Sequence, residues 1–212
     1  MNTLQTQFDD LGNRVKFLEE KFIAPHLDNV LEAPDLYSVD TQAYCVLSHA
    51  AFEEFFENVC LYMLSVIDEK FGQPAREISL GTVCLLHFGD AKKLLEDSER
   101  WGDDERLNDY LEGAIKDRKS YLSTYAVMEN HGIDLKYLRQ LLMSVGIDIP
   151  HDPNIQSALH TLKEIRGSYA HGFSRAKKEL SPEDAKKTVN DILSLASVTK
   201  DQAINMKFSP IK

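Results

Sequence analysis

Two residues in the last third of the chain have side chains suited to handling a phosphate. Arg166 and His171, together called the motif pair here, stand five residues apart. On a regular helix this spacing gives roughly 140° of rotation and about 7.5 Å of rise, so both side chains can border one groove without touching. A guanidinium is permanently charged and can bind two phosphate oxygens, while an imidazole can transfer a proton near neutral pH. The pair could therefore bracket one phosphodiester.

The same pair also has a purely structural interpretation. Arg166 could form an ion pair with Glu164 or with an acid of an earlier helix, and His171 could simply end a helix before Gly172. Without further context this interpretation is favoured, because most Arg and His residues on helices have no catalytic role.

Three other side chains are candidates for a supporting or substrate-binding role. Ser168 and Tyr169 lie between the motif residues and could line the same groove. Within the acidic cluster at 53–57, Glu54 is the residue that we expect to hydrogen-bond the motif pair. The alternative for this cluster is an ordinary solvated surface, where most acids of folded proteins are found.

No metal ion or other cofactor is expected. A helical metal site requires two histidines at i, i+4 with a third ligand nearby. No such arrangement occurs among His49, His87, His131, His151 and His160. The chain has three cysteines, Cys45, Cys60 and Cys84. An odd number without a CxxC pair predicts buried reduced thiols and not a disulfide framework.

The elements that must position these residues are helices. Apolar residues recur at spacings of three and four, and no window of alternating β-branched residues competes with them. Start signals occur at Asp152-Pro153 and at Ser181-Pro182, and Gly146 is a stop signal. The predicted helices span about 4–23, 40–70, 78–101, 121–127, 134–145, 153–171 and 182–198, with 29–38 as a connection and 100–119 charged and weakly periodic.

This pattern predicts an all-α fold, a helical bundle that ends in a capped helix. The sequence divides most naturally into an N-terminal helix and connection at 1–36, which packs on the bundle, a helical domain at 37–199 and a tail at 200–212. A chain of 212 residues with 43% hydrophobic residues is long enough to bury a sizeable core.

Charge is distributed unevenly along the chain. The formal net charge is -10, which argues against strong non-specific binding of polyanions. Residues 160–212 nevertheless carry ten Lys or Arg against six acids, a net of +4, while residues 1–159 carry a net of -14. The C-terminal quarter could meet phosphates locally, while the acidic remainder repels nucleic acid or attracts a basic partner.

The sequence also predicts a soluble, cytoplasmic protein without a membrane partner. Charged residues such as Asp9, Asp10 and Arg14 interrupt the first twenty positions, so an apolar secretory signal is not expected. Acids such as Glu53 and Asp90 also interrupt the most apolar stretches, which fall short of the roughly 18 to 20 apolar residues that cross a bilayer.

The segment 159–172, which contains the motif pair, resembles the hallmark of the HEPN superfamily. That hallmark is an Arg and a His separated by four to six residues near the end of a helical bundle. Segment 159–172 is most similar to the RiboL-PSP-HEPN branch, where the segment ends in a phrase like Ala-His-Gly at 170–172 and precedes a final capped helix. Asn-His-Gly-Ile at 130–133 and Ala-Phe-Glu-Glu-Phe at 51–55 also resemble that branch. The similarity covers about 40–198.

Two positions depart from the family pattern. Many active members have Asn or another polar residue directly after the motif Arg, where this chain has Gly167. A polar group that helps to orient the phosphate or the His would then be missing. In another branch an antitoxin nucleotidyltransferase modifies a Tyr two residues after the His, where this chain has Phe173. Regulation by that modification is therefore not expected.

The resemblance implies a metal-independent endoribonuclease in which the RNA 2'-hydroxyl attacks the adjacent phosphorus. His171 would be the general acid or base, and Arg166 would stabilise charge in the transition state. It also implies a homodimer through the motif helix, which is the predicted helix 153–171 that carries the motif pair. The site would then be composite, with both copies of the motif pair contributing to it. The implied settings are toxin-antitoxin systems, anti-phage defence or stress responses, with an antitoxin or regulatory protein as a second partner.

Two other classes of function remain open at this point. A non-catalytic HEPN module could bind RNA, a nucleotide or a partner protein, and both Gly167 and the acidic surface favour it. An unrelated helical interaction protein could carry the motif pair by chance. Dimerisation through the motif helix separates the first two classes from the third, and RNA cleavage separates the enzyme from the binding module.

Overall fold

The computed structural model describes residues 3–27, 33–72, 77–88, 107–128, 132–170 and 180–208. All regular secondary structure within these ranges is helical, so the prediction of an all-α fold is confirmed. The elements are α1 (Leu4–Phe22), α2 (Ala24–Leu27), α3 (Pro34–Phe71), α4 (Leu80–His87), α5 (Leu107–Met128), α6 (Leu135–Leu138) with a π-helical turn (Arg139–Met143), α7 (Pro153–Ala170) and α8 (Pro182–Phe208).

The 38-residue helix α3 is the centre of the bundle. Helices α1, α7 and α8 pack along it, and α4, α5 and the π-helical turn cover its second half. Its buried side chains occur on several faces, and Phe52, Phe56, Val59 and Cys60 are fully enclosed. Burial of apolar surface on this helix stabilises the bundle.

Local signals fix several helix ends as predicted. The Asp152 carboxylate accepts a hydrogen bond from the Asn154 amide at the start of α7, and the Ser181 hydroxyl accepts one from the Asp184 amide at the start of α8. Gly146 follows the π-helical turn with a φ of 86°, a conformation that favours glycine. These three predictions are confirmed.

Other predicted boundaries were wrong. Helix α3 begins at Pro34 and not near residue 40, since proline fits the first helical position, where no amide hydrogen is needed. The region 107–128 is one helix and not a charged connection followed by a short helix. Its buried residues Ile115, Leu122 and Ala126 share one face, and the bundle buries that face. Helix α4 ends at His87, and residues 89–106 lie outside the described part of the chain.

The last helix also extends further than predicted. It was expected to end near Val198, but α8 continues to Phe208, through most of the predicted tail. Packing holds this extension, because Ala203 is fully buried and Lys200 is 9% exposed. The Lys200 ammonium donates to the Gln5 side-chain oxygen of α1 at 3.1 Å. None of the described helices has the length and apolar character that a bilayer span requires.

Candidate functional site

Arg166 lies near the C-terminal end of α7 and is exposed. Ser168, two residues further on, is half-buried and donates its hydroxyl to the Ile165 carbonyl at 2.8 Å. Tyr169 belongs to the same helix by its backbone, and its side chain lies outside the described part of the structure, as does all of His171. The structure therefore describes one member of the motif pair and the surface beside it.

Gly167 is not required by packing. An added Cβ at this position would meet no atom within 4 Å. A larger side chain therefore fits at the position that directly follows Arg166, and the glycine there is not imposed by a close neighbour.

Helix α3 carries three ionisable side chains at intervals of four residues, His49, Glu53 and Glu57. This spacing places them along one face of the helix. His49 is 2% exposed and Glu53 is 8% exposed, whereas Glu57 is only partly buried. The Nδ1 atom of His49 lies 3.9 Å from a carboxylate oxygen of Glu53. We call these three residues the polar face of α3.

The segment 132–134, which bends just before α6 and is called the Gly132 turn here, packs on the polar face of α3. The Gly132 amide donates to Glu53 Oε1 at 2.7 Å in a buried hydrogen bond. Gly132 has a φ of 74°, and a Cβ there would lie 3.0 Å from Nε2 of His49. Glycine is therefore needed for both the backbone conformation and the close approach to the imidazole.

The same turn is also attached to the motif helix. Asp134 caps α6 by accepting the Tyr137 amide at 2.7 Å, and its second oxygen accepts from the Lys163 ammonium at 2.7 Å. Lys163 precedes Arg166 by three residues, so the two cations are neighbours on α7. Although burial raises the pKa of Asp134, the hydrogen bonds from Lys163 and from the Tyr137 amide lower it more, so this pKa lies below its ordinary value.

Charge and burial shift the titration of the polar face of α3. Burial, with a contribution from the positive charge of Arg166, lowers the pKa of His49 to about 4. Burial and the neighbouring Glu53 raise the pKa of Glu57 to about 7, despite a hydrogen bond from the Tyr137 hydroxyl at 3.5 Å. The positive charge of Arg166 therefore disfavours protonation of His49.

The lowered pKa of His49 predicts a loss of stability in acid. Between pH 6.5 and 4 the unfolded chain binds a proton on His49 that the folded chain does not, so the free energy of unfolding falls as the pH falls. The full shift corresponds to about 3 kcal/mol. Across this pH window we expect the free energy of unfolding of wild type, measured with urea, to fall by up to this amount more than that of His49→Gln.

Two features make this comparison specific. Glu57 acts in the opposite direction, because the folded chain keeps its proton to about pH 7 and loses stability as the pH rises. Its contribution is common to wild type and His49→Gln and cancels in the difference. His160→Gln is the matched control, since that side chain is 67% exposed. If the free energy of unfolding changed with pH in the same way in wild type and His49→Gln, the prediction would be contradicted.

Glu54 does not lie on the polar face of α3. It is exposed and accepts a hydrogen bond from Arg14 of α1 at 3.0 Å, which is a correction to the expected role beside the motif pair. Successive residues on a helix differ by about 100° in direction, so Glu53 faces the Gly132 turn while Glu54 faces α1. The part of the chain that the structure describes has no group of three or more His, Cys, Asp or Glu arranged to hold a metal ion.

Sequence analysis therefore missed the polar residues that contact the Gly132 turn or belong to it, namely His49, Glu53 and Asp134. One signal could have identified the first two. A His and an acid four residues apart, within the largely apolar segment 44–56, predict a buried polar pair that needs partners. Nothing in the sequence indicates that Asp134 contacts Lys163, because these residues are 29 positions apart.

Comparison with known proteins gives one match. The family model described as RiboL-PSP-HEPN matches residues 13–205, which include the polar face of α3, the Gly132 turn and the motif pair. No curated protein and no solved structure matches the chain.

Proposed function

The chain belongs to the RiboL-PSP-HEPN family, and on that basis we propose that it is a metal-independent endoribonuclease with Arg166 and His171 as its catalytic residues. The observation that carries the proposal is the position of Arg166. Arg166 is exposed near the end of α7, its charge contributes to the lowered pKa of the buried His49, and the Gly132 amide is hydrogen-bonded to Glu53 on the same face of α3. An exposed cation beside ordered polar groups is suited to bind the phosphodiester of RNA.

In the proposed reaction the 2'-hydroxyl of RNA attacks the adjacent phosphorus, and the bond to the 5'-oxygen of the next nucleotide breaks. His171 transfers the proton, either from the attacking hydroxyl or to the leaving oxygen. Arg166 stabilises the charge that develops on the phosphoryl oxygens. The products are a 2',3'-cyclic phosphate and a free 5'-hydroxyl.

We further propose that the active form is a homodimer in which two motif helices meet. Residues five positions apart on a regular helix point in directions that differ by roughly 140°, so Arg166 of one chain and His171 of the other can approach one phosphate more easily than two residues of one chain. We place this enzyme in the cytoplasm, in a toxin-antitoxin, anti-phage or stress-response setting, with an antitoxin or regulatory protein as its second partner.

The test is cleavage of total RNA and transfer RNA by the purified wild-type chain in excess EDTA. We expect cleavage to persist, because the proposed chemistry uses side chains alone, and we expect products with cyclic phosphate and 5'-hydroxyl ends. Loss of cleavage in EDTA, or products with 5'-phosphate ends, would contradict the mechanism, since both point to metal-activated water.

One observation favours a second candidate function, a non-catalytic module that binds RNA, a nucleotide or a protein. The glycine at 167 leaves open the space directly after Arg166, where many active members carry a polar side chain. The net charge of -10 also disfavours tight binding of bulk RNA. Saturable RNA or nucleotide binding by a chain that cleaves no RNA would support this candidate.

A further inference from the structure

We infer that Glu53 is a positioning residue for Arg166. Its carboxylate is hydrogen-bonded to the Gly132 turn, and this turn links α3 to the motif helix α7. The inference rests on the proposed function for its effect on catalysis. Its structural part, that the Glu53 hydrogen bond holds the turn and the end of α7 in place, can be tested separately.

The burial of Glu53 is the first step. A carboxyl group in the interior lowers stability unless hydrogen bonds replace its contacts with water, and an apolar residue of similar size would often stabilise the bundle more. Glu53 is 8% exposed and accepts the Gly132 amide at 2.7 Å. The turn at Gly132 therefore provides the partner that makes an acid tolerable at this position of α3.

The second step is the attachment of the same turn to two helices. Glu53 connects Gly132 to α3, and two residues later Asp134 connects the turn to Lys163 of α7. Gly132 also lies against the imidazole of His49, whose pKa responds to the charge of Arg166. A displacement of the turn would therefore reach the stretch of α7 that carries Arg166.

The third step concerns what a displaced Arg166 would change. Misplacement of a catalytic group by about 1 Å can lower a rate by about 100-fold, while the attraction between a cation and a phosphate changes much less over that distance. Loss of the Glu53 hydrogen bond should therefore lower kcat and leave KM nearly unchanged. A loss of folded protein would also lower the apparent kcat at constant KM, so each rate is normalised to the folded fraction of the sample, measured by circular dichroism.

The decisive variants keep the size of the side chain. Glu53→Leu removes the acceptor and leaves an apolar residue that the interior tolerates, whereas Glu53→Gln keeps a carbonyl oxygen for the Gly132 amide. We expect Glu53→Leu to lower kcat by about 10- to 100-fold with KM within about twofold of wild type. We expect Glu53→Gln to retain at least about a third of the wild-type kcat.

Glu54→Leu is the matched control, since Glu54 is the adjacent acid and forms an exposed ion pair with Arg14 on the α1 side. It should leave kcat within about twofold of wild type. Gly132→Ala provides an independent route, because the added methyl group would displace the turn from His49 without changing any acid. It should reproduce the loss of kcat in Glu53→Leu. Wild-type kcat in Glu53→Leu, or equal losses in the Leu and Gln variants, would overturn the inference.

Amide hydrogen exchange of the full chain separates this inference from the proposed function. In Glu53→Leu we expect faster exchange than in wild type over 132–138 and over the last turns of α7, and wild-type exchange in Glu54→Leu. Unchanged exchange at both places would overturn the inference even for an active enzyme. Faster exchange in a chain that cleaves no RNA would support the structural part while the ribonuclease proposal fails.

Discussion

Replacing Arg166 with Ala is expected to lower the rate of RNA cleavage by about 100- to 1,000-fold, the usual effect of removing a group that stabilises transition-state charge. Replacing His171 with Ala is expected to lower it by about 100- to 10,000-fold, because proton transfer is lost. Arg166→Lys should recover only part of the activity, since an ammonium keeps the charge but cannot bind two oxygens side by side. Single-turnover cleavage in excess EDTA measures these rates.

The matched control for Arg166 is Arg14→Ala. Arg14 is also an exposed arginine on a helix, and it pairs with Glu54 on the α1 side. An exposed ion pair contributes at most about 1 kcal/mol to stability, so Arg14→Ala should keep nearly full activity. Equal residual cleavage by wild type, Arg166→Ala and His171→Ala would identify a contaminating nuclease and favour the binding module.

A mixed sample tests whether the site is composite. The Arg166→Ala and His171→Ala chains, each inactive alone, are co-expressed with different tags so that mixed dimers form. If Arg166 of one subunit acts with His171 of the other, each mixed dimer has one intact site, and the statistical mixture recovers about a quarter of wild-type activity. No recovery in purified mixed dimers would contradict a site that combines one Arg166 with the His171 of the other subunit.

Replacing Phe56 with Ala is expected to lower the free energy of unfolding by about 4 kcal/mol, the largest stability change that we predict. Phe56 is fully buried at the centre of α3, with its ring 5.9 Å from that of Phe55. Truncation removes apolar burial and leaves a cavity, and buried Phe→Ala substitutions usually cost about 3 to 5 kcal/mol. Urea unfolding followed by circular dichroism measures the change.

Phe17→Ala is the control for this prediction, because Phe17 is on α1 but 60% exposed. It should change the free energy of unfolding by no more than about 0.5 kcal/mol. Since total stability of a domain is typically about 5 to 15 kcal/mol, Phe56→Ala should also lower the yield of folded protein at 37 °C. Similar losses in the two variants would contradict the assignment of α3 as the centre of the core.

The sequence by itself determined the helical class, several helix ends and the segment that carries the motif pair. These features depend on short-range physics, namely apolar spacing at three and four residues, a side-chain cap before a proline, and a glycine with positive φ. Pro153 and Pro182 begin helices, and Gly146 follows the π-helical turn with a positive φ, as the residue types predict. A local signal of this kind needs no knowledge of which elements pack together.

Helix lengths were decided by packing and not by local pattern alone. The sequence predicts that the last helix ends near Val198, yet α8 continues to Phe208, where Ala203 is buried and Lys200 reaches α1. In α3 the apolar residues occur on several faces, because neighbouring helices cover it from several directions. A simple amphipathic pattern is therefore absent from the part of the chain that matters most for the core.

Only the tertiary structure decided which acid is buried against the Gly132 turn. Glu53 and Glu54 are the same residue type at adjacent positions, and the sequence analysis selected Glu54. The fold places the Gly132 turn against Glu53 and α1 against Glu54, so one carboxyl group is buried and accepts the Gly132 amide while the other is exposed with Arg14. Each acid is hydrogen-bonded to a residue far away in the sequence. Gly132 is 79 positions from Glu53, and Arg14 is 40 positions from Glu54. Contacts over such separations depend on how the helices pack.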